Sequence, residues 1–554
     1  MAIEQPAGRG FKSLRTRDPF IQEYYSLKSL AAQNYSMALT TEQLKSMHWS
    51  EILAERIISE KKPPFVVTSG ITTSGPTHLG TLCEFLFPNA IATQLRTRGF
   101  QADFYFIADI YDAFDSVPIS MMKYESTLTP HLGKPLCDVP DPLGCCNSFG
   151  DHYLNETRRI MERFNVHPKI VRAVDVYKEG RFDELARFFL ANEEKVKRVV
   201  AESSMRELPE WWSPLMPVCQ NCGRIATTRV TAHGNDWYEY KCDRDVEYTK
   251  GCGFSGRNKL SDHVYKLTWR LHWPAWMVVF NTSVEGAGVD HHTRGGSWDT
   301  CTAIFKEIFQ REPPIGYKFG FILLQGKKYS KSKGVGMGVT DLLELMPPEL
   351  ITYSLIKPDL QENKDVDPTG VKLMNLYEDF QRAAKLSEEE NTDVSRAEHK
   401  KIIAFRLSTG GKINWKASFA DILMYYQLYR DWSKVAERSG DPEGTNYLRP
   451  FIEKWVSREF APEEYRFSFN PTTISKNIAA VRAFAEKLTD SMDAVTIHNL
   501  VFSVANENGI QPSELFTTLY TALLGKEKGP RMGKLVEAIG IAKVKETLER
   551  VSRG

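Results

Sequence analysis

The sequence predicts an α/β fold: a parallel sheet built from βαβ units, interrupted by a cysteine-rich insertion and followed by an all-α C-terminal region. Three observations carry this. Residues 65–108 read as strand, loop, helix and strand. Seven of the nine cysteines (137, 145, 146, 219, 222, 242 and 252) fall within residues 134–260. From about residue 371 onward the pattern is nearly all helical, punctuated by Gly410-Gly411, Gly440-Asp441-Pro442 and Asn470-Pro471.

The elements follow in order. Residues 1–40 carry Arg9, Lys12, Arg15 and Arg17, interrupted by Glu4, Asp18 and Glu23, and lack an apolar signal core, so they read as an N-terminal extension. Residues 41–62 predict an amphipathic helix capped by Thr41, with Leu44, Met47, Ile52, Leu53 and Ile57 near helical spacing; Pro63-Pro64 stop it. Phe65–Thr68 is a short buried strand, Leu79–Leu95 a helix, and Phe104–Ala108 a second strand closed by Asp109. A charged helical stretch lies near 178–206, and apolar sequence returns at 264–280 and 303–325 as the second half of the sheet. The expected division is therefore 1–40, 41–133, 134–260 (the insertion), 261–370 and 371–554, with no internal repeat.

Composition sets bounds on function. With 42% hydrophobic and 25% charged residues, the 554-residue chain is ordinary globular material, not a disordered or fibrous one. Lys+Arg 71 against Asp+Glu 70 leaves a net charge of +1, so any polyanion must be met by local basic patches; 524–536, Lys400, Lys401 and Arg406 are candidates. An odd set of nine cysteines fits a reducing compartment, and no stretch approaches the ~20 apolar residues of a membrane span, so a cytoplasmic protein without a membrane partner is expected. The sequence leaves the oligomeric state unspecified.

Two motifs carry chemistry. The loop Ser69-Gly70-Ile71-Thr72-Thr73-Ser74-Gly75-Pro76-Thr77-His78-Leu79-Gly80-Thr81 follows a strand and opens a helix. Small residues admit a ligand to the backbone, and the N–H groups of a helix start attract anions. His78 can donate to a phosphate oxygen, and Gly80 leaves room for a flat ring such as adenine. Far downstream, Gly326-Lys327-Lys328-Tyr329-Ser330-Lys331-Ser332-Lys333-Gly334 follows the apolar Phe321–Leu324. Its ammonium groups suit the negative charge that grows as a phosphoanhydride bond breaks.

Together these stretches resemble the paired HIGH and KMSKS signatures of class I aminoacyl-tRNA synthetases, with His78-Leu79-Gly80-Thr81 as the first and Lys328-Tyr329-Ser330-Lys331-Ser332 as the second. Gly288-Val289-Asp290-His291 resembles the strand-end motif whose Asp holds the ATP ribose. Pro140–Gly144 with Ser148 and His152, Trp269–Ala275, Asp290–Asp299 and Leu519–Gly533 are similar to the class I lysyl-tRNA synthetases over about residues 45–554. The resemblance implies an α/β Rossmann-type catalytic domain with an inserted connective domain that handles the tRNA acceptor end, followed by an all-α anticodon-binding domain. It implies L-lysine, ATP with Mg2+ and lysine tRNA as substrates. tRNA is implied to be needed even for activation.

By the same resemblance His78, Lys328 and Lys331 are catalytic; Gly75, Pro76, His78, Gly80, Asp290, Lys328, Ser330 and Lys331 meet ATP; and Gly70, Thr72, Trp269 and His291 line lysine. A buried ammonium needs a carboxylate partner, and Asp109 or Asp112 is the expected source, with Asp109 preferred. Cys219-Gln220-Asn221-Cys222-Gly223 is half of a zinc knuckle. Thr249 stands where the family pattern places a third cysteine, so Cys242 is the candidate to complete a Zn2+ set with Cys252. Cys145-Cys146 is read as structural. Two other readings remain open from sequence alone: a non-catalytic synthetase-like binding paralogue, and an adenylating ligase with a different amino acid or acceptor.

Overall fold

A computed structural model describes residues 46–328, 338–389 and 394–553. The first helix described in full, Trp49–Glu60, starts later than the periodicity suggested. His48 caps it, accepting from the Ser50 N–H, while Glu51 reaches back to the His48 N–H at 2.9 Å; the expected cap, Thr41, lies outside the described residues. His48 Nε2 and Trp49 Nε1 also both lie within hydrogen-bond distance of the Ile356 carbonyl (2.8 and 2.7 Å), pinning this helix to the far half of the chain.

The central sheet has five strands in the order β10-β9-β1-β2-β3: β1 is Phe65–Ile71, β2 Ala102–Ala108, β3 Lys169–Arg172, β9 Val284–Gly288 and β10 Ile315–Phe319. Every pairing is parallel. The chain moves outward from β1 through β2 and β3, then returns to the other side of β1 as β9 and β10. The order therefore reverses between β1 and β9, and in open α/β sheets ligands bind beyond the strand C-termini at such a switch point. The helix Leu79–Thr97 crosses from β1 to β2 with Leu82, Phe85, Leu86, Ile91 and Leu95 all buried, each stabilising the fold by roughly 1.5–3 kcal/mol.

Part of the stretch 134–260, expected as the insertion, belongs to the central sheet. The helix Phe149–Arg163 precedes β3, and β3 pairs with β2 from Tyr105↔Lys169 to Ala108↔Arg172. This edge strand is short and only partly buried, so it lacks the apolar run that identifies a central strand. Beyond it lie an antiparallel three-stranded sheet (β5 Arg229–His233, β6 Trp237–Lys241, β7 Ser255–Lys259) and a two-stranded pair (β4 Leu215–Pro217, β8 Tyr265–Leu267). A third small sheet joins β11 Ile322–Leu324 to β12 Lys327–Lys328 and β13 Lys364–Val366.

The helical region divides into two parts. Helices from Gly370–Glu388 through Pro442–Ser457 bury Phe380, Phe405, Trp415 and Trp455 in the same core as the central sheet, whereas the helices after about residue 467 close around a separate core that includes Phe484, Val501, Leu519 and Leu548. Gly410 and Gly440 end their helices at φ of 65° and 67°, conformations that cost other residues dearly. Among the described residues no helix is long and apolar enough to cross a membrane.

Candidate active site

A cavity of about 300 Å³ sits at the switch point. One wall is the segment after β1, including Thr72, Gly75, Pro76, His78 and Gly80; the opposite wall is Gly288–His291 after β9, and Phe319–Ile322 closes the rim. The β1 loop is held from behind: Thr73 Oγ1 donates to the Gly150 carbonyl at 3.0 Å, the Thr77 N–H to Glu156 at 3.0 Å, and the Thr77 and Thr157 hydroxyls meet at 2.9 Å. The helix Phe149–Arg163 thus sets the shape of the loop.

His78 is the N-cap of the Leu79–Thr97 helix, its Nδ1 accepting from the Thr81 N–H at 3.3 Å. With Nδ1 an acceptor, the ring proton belongs on Nε2. A Cβ at position 80 would sit 3.0 Å from His78 Cε1, so glycine there lets the imidazole lie against the helix. Helix dipole, N–H groups and a histidine N–H converge on one wall, an arrangement suited to phosphate. Asp290 is exposed on the opposite wall, placed to accept from hydroxyls.

Lys328 ends the β11–β12 hairpin, its backbone paired with Leu323. Since β11 begins at the cavity rim with Ile322, this hairpin leaves directly from the site. Ser330 and Lys331 lie outside the described residues.

The amino-acid side departs from expectation. Gly70, Asp109 and Trp269 are not on the cavity wall. Gly70 allows β1 to approach β2: a Cβ there would lie 2.6 Å from the Ile107 carbonyl oxygen. Trp269 stacks on Trp273 (centroids 5.6 Å, 12° between planes), and Trp273 in turn meets the His291 ring edge-on at 5.7 Å. Asp109 is buried, its Oδ2 accepting from Lys266 Nζ at 2.7 Å and lying 3.4 Å from His272 Nε2. Burial opposes its charge, but Lys266 and His272 outweigh that and hold the carboxyl well below its usual range. One oxygen of Asp109 is thus engaged by a resident ammonium, while Oδ1 is buried without a hydrogen-bond partner.

Besides Asp290, a carboxylate that does face the cavity is Glu84, six positions beyond His78 on the same helix. Burial raises its pKa to about 8, assisted by the negative charges of Glu285 and Asp290; the Ser69 hydroxyl, donating at 2.7 Å, only partly offsets this. Glu285 is fully buried nearby and raised to about 7, although Thr68 (2.5 Å), Trp273 (2.6 Å) and Trp276 (2.9 Å) all donate to it. Sequence reasoning missed both. The available signal was a single acid inside the apolar run Leu79–Leu86 and another inside the glycine-rich strand β9.

Two clusters have the donor sets of metal sites. The sulfurs of Cys219, Cys222, Cys242 and Cys252 all lie within 4.8 Å of one another, Thr249 not among them. Four thiols at that spacing fit tetrahedral Zn2+. Asp141, Cys145, Cys146 and His152 form a second cluster on the same criterion, with Cys145 Sγ 3.2 Å from His152 Nδ1 and 3.2 Å from Asp141 Oδ2. Cys145-Cys146, read from the sequence as structural or incidental, sits here in a group of donors: a tight turn after Asp141, whose carboxylate accepts from the Cys145 and Cys146 N–H groups, brings the four together.

Residues 47–420 match the family described as tRNA synthetases class I (K), and residues 446–554 match an anticodon binding domain. The chain is 33% identical over 522 residues to a lysine–tRNA ligase of Archaeoglobus fulgidus, covering 91% of this chain and 99% of that one. It is 30% identical to lysine–tRNA ligases of Methanosarcina barkeri (88% of this chain, 94% of the relative) and Methanocaldococcus jannaschii (89% and 98%). With two thirds of its length matched by one family description and its switch-point cavity built from that family's signature segments, the chain belongs to the class I (K) tRNA synthetases.

Proposed function

We propose that the protein joins L-lysine to lysine tRNA through a lysyl-adenylate, consuming ATP and releasing AMP and pyrophosphate. The observation that carries the amino-acid assignment is Glu84: a carboxylate on the cavity wall that no cation pairs among the described residues, beside a helix start suited to phosphate. An amino acid ending in an ammonium group supplies the missing positive charge; one ending in an acid does not.

In the first step the lysine carboxylate attacks the α-phosphorus of ATP in line. The bond to the bridging oxygen breaks, and pyrophosphate leaves with its Mg2+, which enters as part of the ATP substrate. The protein orients the reactants and stabilises charge, without forming a covalent bond itself. His78 Nε2–H and the helix N–H groups hold phosphate oxygens, Asp290 accepts from the ribose, and Lys328 and Lys331 meet the leaving pyrophosphate. In the second step a terminal tRNA ribose hydroxyl attacks the adenylate carbonyl, its proton is released, and AMP departs. The helices after residue 446 hold the anticodon arm. Zn2+ at Cys219, Cys222, Cys242 and Cys252, and at Asp141, Cys145, Cys146 and His152, acts as a structural cross-link.

ATP–pyrophosphate exchange across the twenty amino acids, with and without tRNA, tests the reading. Exchange with lysine alone among them, in either condition, is expected. Exchange with none identifies a binding paralogue, and exchange with another amino acid moves the specificity. Lys331→Ala is expected to slow activation by orders of magnitude with little change in lysine affinity; undiminished exchange removes it from the mechanism.

A further inference from the structure

Lys266 is an ammonium buried inside the protein, and nothing in the reaction above employs it. It sits on β8, 1% exposed, and its Nζ contacts two carboxylates: Asp109 Oδ2 at 2.7 Å and Asp112 Oδ1. Asp112 is one-third exposed, and its other oxygen accepts from Thr72 Oγ1 at 2.5 Å. Thr72 lies on the cavity wall directly after β1. The two loops are neighbours because β1 and β2 end in register at Ile71↔Ala108, and the Asp109 N–H donates to the Ile71 carbonyl at 2.8 Å.

We infer that Lys266 is a positioning residue for the amino-acid substrate, acting through Asp112 to fix the hydroxyl of Thr72 on the cavity wall. This rests on the lysine reading of the cavity and goes beyond it. The physical argument has two parts. First, Asp109 and Asp112 share one ammonium; without it, two carboxylates at that separation repel, and Asp112, the more exposed of the pair, is the one free to swing out to water. Thr72 then loses its partner. Second, a threonine hydroxyl has one proton, and here it is given to Asp112. What Thr72 offers the cavity is consequently an acceptor. An acceptor receives an ammonium and turns away a carboxylate, so the chain from Lys266 favours one orientation of an amino acid, with its carboxylate directed toward the phosphate wall.

The anchor is rigid. Lys266 pairs with Met216 across the β4–β8 ladder, β4 runs through Pro217 almost into Cys219, and the adjacent Leu267 N–H donates to Tyr177 Oη at 3.0 Å. Tyr177 Oη also lies 2.9 Å from His272 Nδ1, the histidine beside Asp109. The insertion thereby reaches the amino-acid end of the cavity through one side chain.

The test is steady-state ATP–pyrophosphate exchange with the full-length protein in the presence of lysine tRNA. Asp112→Ala leaves the buried Lys266–Asp109 pair intact and cuts the chain at its exposed link. The KM for lysine is expected to rise about tenfold, the usual worth of one hydrogen bond to a charged group, with kcat and the KM for ATP within twofold. Asp112→Glu, which keeps an acceptor oxygen for Thr72 and another for Lys266, is expected to restore the KM to within threefold of the parent. Lys266→Met, which leaves the two carboxylates facing one another, is expected to match Asp112→Ala, and adding Asp109→Asn, which removes their repulsion, is expected to recover part of the loss. Thr72→Val added to Asp112→Ala should cost nothing further. An unchanged KM for lysine in folded Asp112→Ala, equal losses in folded Asp112→Ala and Asp112→Glu, or multiplying losses from Thr72→Val and Asp112→Ala would each overturn the inference. Failure of the unsubstituted protein to activate lysine would instead overturn the reading on which it rests.

Discussion

The two ends of the cavity are built differently. The phosphate end is made of consecutive residues: the turn Gly75–Gly80, a helix start and a histidine cap all lie within one short segment. The end that the proposed reading gives to the amino acid presents Glu84, with a buried network drawn from β1, β9 and the Trp269–Val279 helix nearby: Ser69 donates to Glu84, and Thr68, Trp273 and Trp276 donate to Glu285. Backbone groups serve the first because every nucleotide presents the same phosphates. Buried charge serves the second because one amino acid must be chosen from twenty, and an unpaired carboxylate in a low-dielectric wall discriminates strongly by charge.

The largest expected effect tests that contrast directly. Glu84→Gln keeps shape and removes charge. It is expected to lower kcat/KM for lysine by at least about a hundredfold, the scale of leaving a desolvated ammonium unpaired (roughly 3–5 kcal/mol), while the KM for ATP stays within threefold. A similar loss for both substrates would erase the distinction between the two ends.

The next effect is on pH. Burial raises Glu84 to about 8, so below that pH the free site holds a neutral acid, and lysine, as an ammonium, must expel a proton to bind. The apparent affinity for lysine is expected to fall about tenfold for each pH unit below 8 and to level above it until the lysine ammonium itself deprotonates. An ordinary exposed glutamate would give no such slope between pH 6 and 8, and Glu84→Gln should flatten it. ATP binding carries no corresponding slope, which a parallel titration of the KM for ATP would check.

His78→Ala probes the other end. It removes the helix cap, worth about 1 kcal/mol of stability, and a phosphate donor, so the KM for ATP should rise about tenfold with the lysine KM little changed. His78→Asn, a good cap without the imidazole, separates the two losses by restoring the melting temperature but not the KM.

The same contrast explains what could be read in the sequence. The parallel sheet, its βαβ unit and the helical C-terminal region were legible because they rest on local periodicity and on Gly/Pro punctuation. That His78, Gly80 and Asp290 would share one cavity was legible because each belongs to a contiguous motif. Glu84 was not, since an acid on an apolar helix reads as an irregularity until the fold shows a cavity beside it. The surroundings of Asp109 were hidden for a related reason: sequence marks a carboxylate at a strand end but not the ammonium 157 positions away that pairs with it. The cysteine set at 219, 222, 242 and 252 could be named but its closeness could not, because Cys242 joins through the register of the β5–β6–β7 sheet rather than through spacing. Edge strand β3 was missed because partial burial leaves no periodic signature.

The smallest effect concerns Trp269. The sequence places it against lysine; in the structure it is half-buried and stacked face to face on the buried Trp273, with its Nε1 donating to Ser297 at 3.3 Å. A ring in direct contact with the substrate's alkyl stem would contribute packing and cation–π attraction, and losing the indole would cost more than tenfold in lysine KM. A ring that acts only by bracing Trp273 contributes less, and Trp269→Phe keeps most of that stacking, at a cost of about 0.5–1.5 kcal/mol for altered aromatic contacts. Less than a threefold change in lysine KM, together with a lowered melting temperature, is therefore expected for Trp269→Phe. The same substitution at Trp273 should act more strongly, since Trp273 both meets His291 and donates to Glu285. If Trp269→Phe proves the more damaging of the two, the aromatic wall begins one layer further out than the cavity suggests, and the amino-acid end extends toward Ser297.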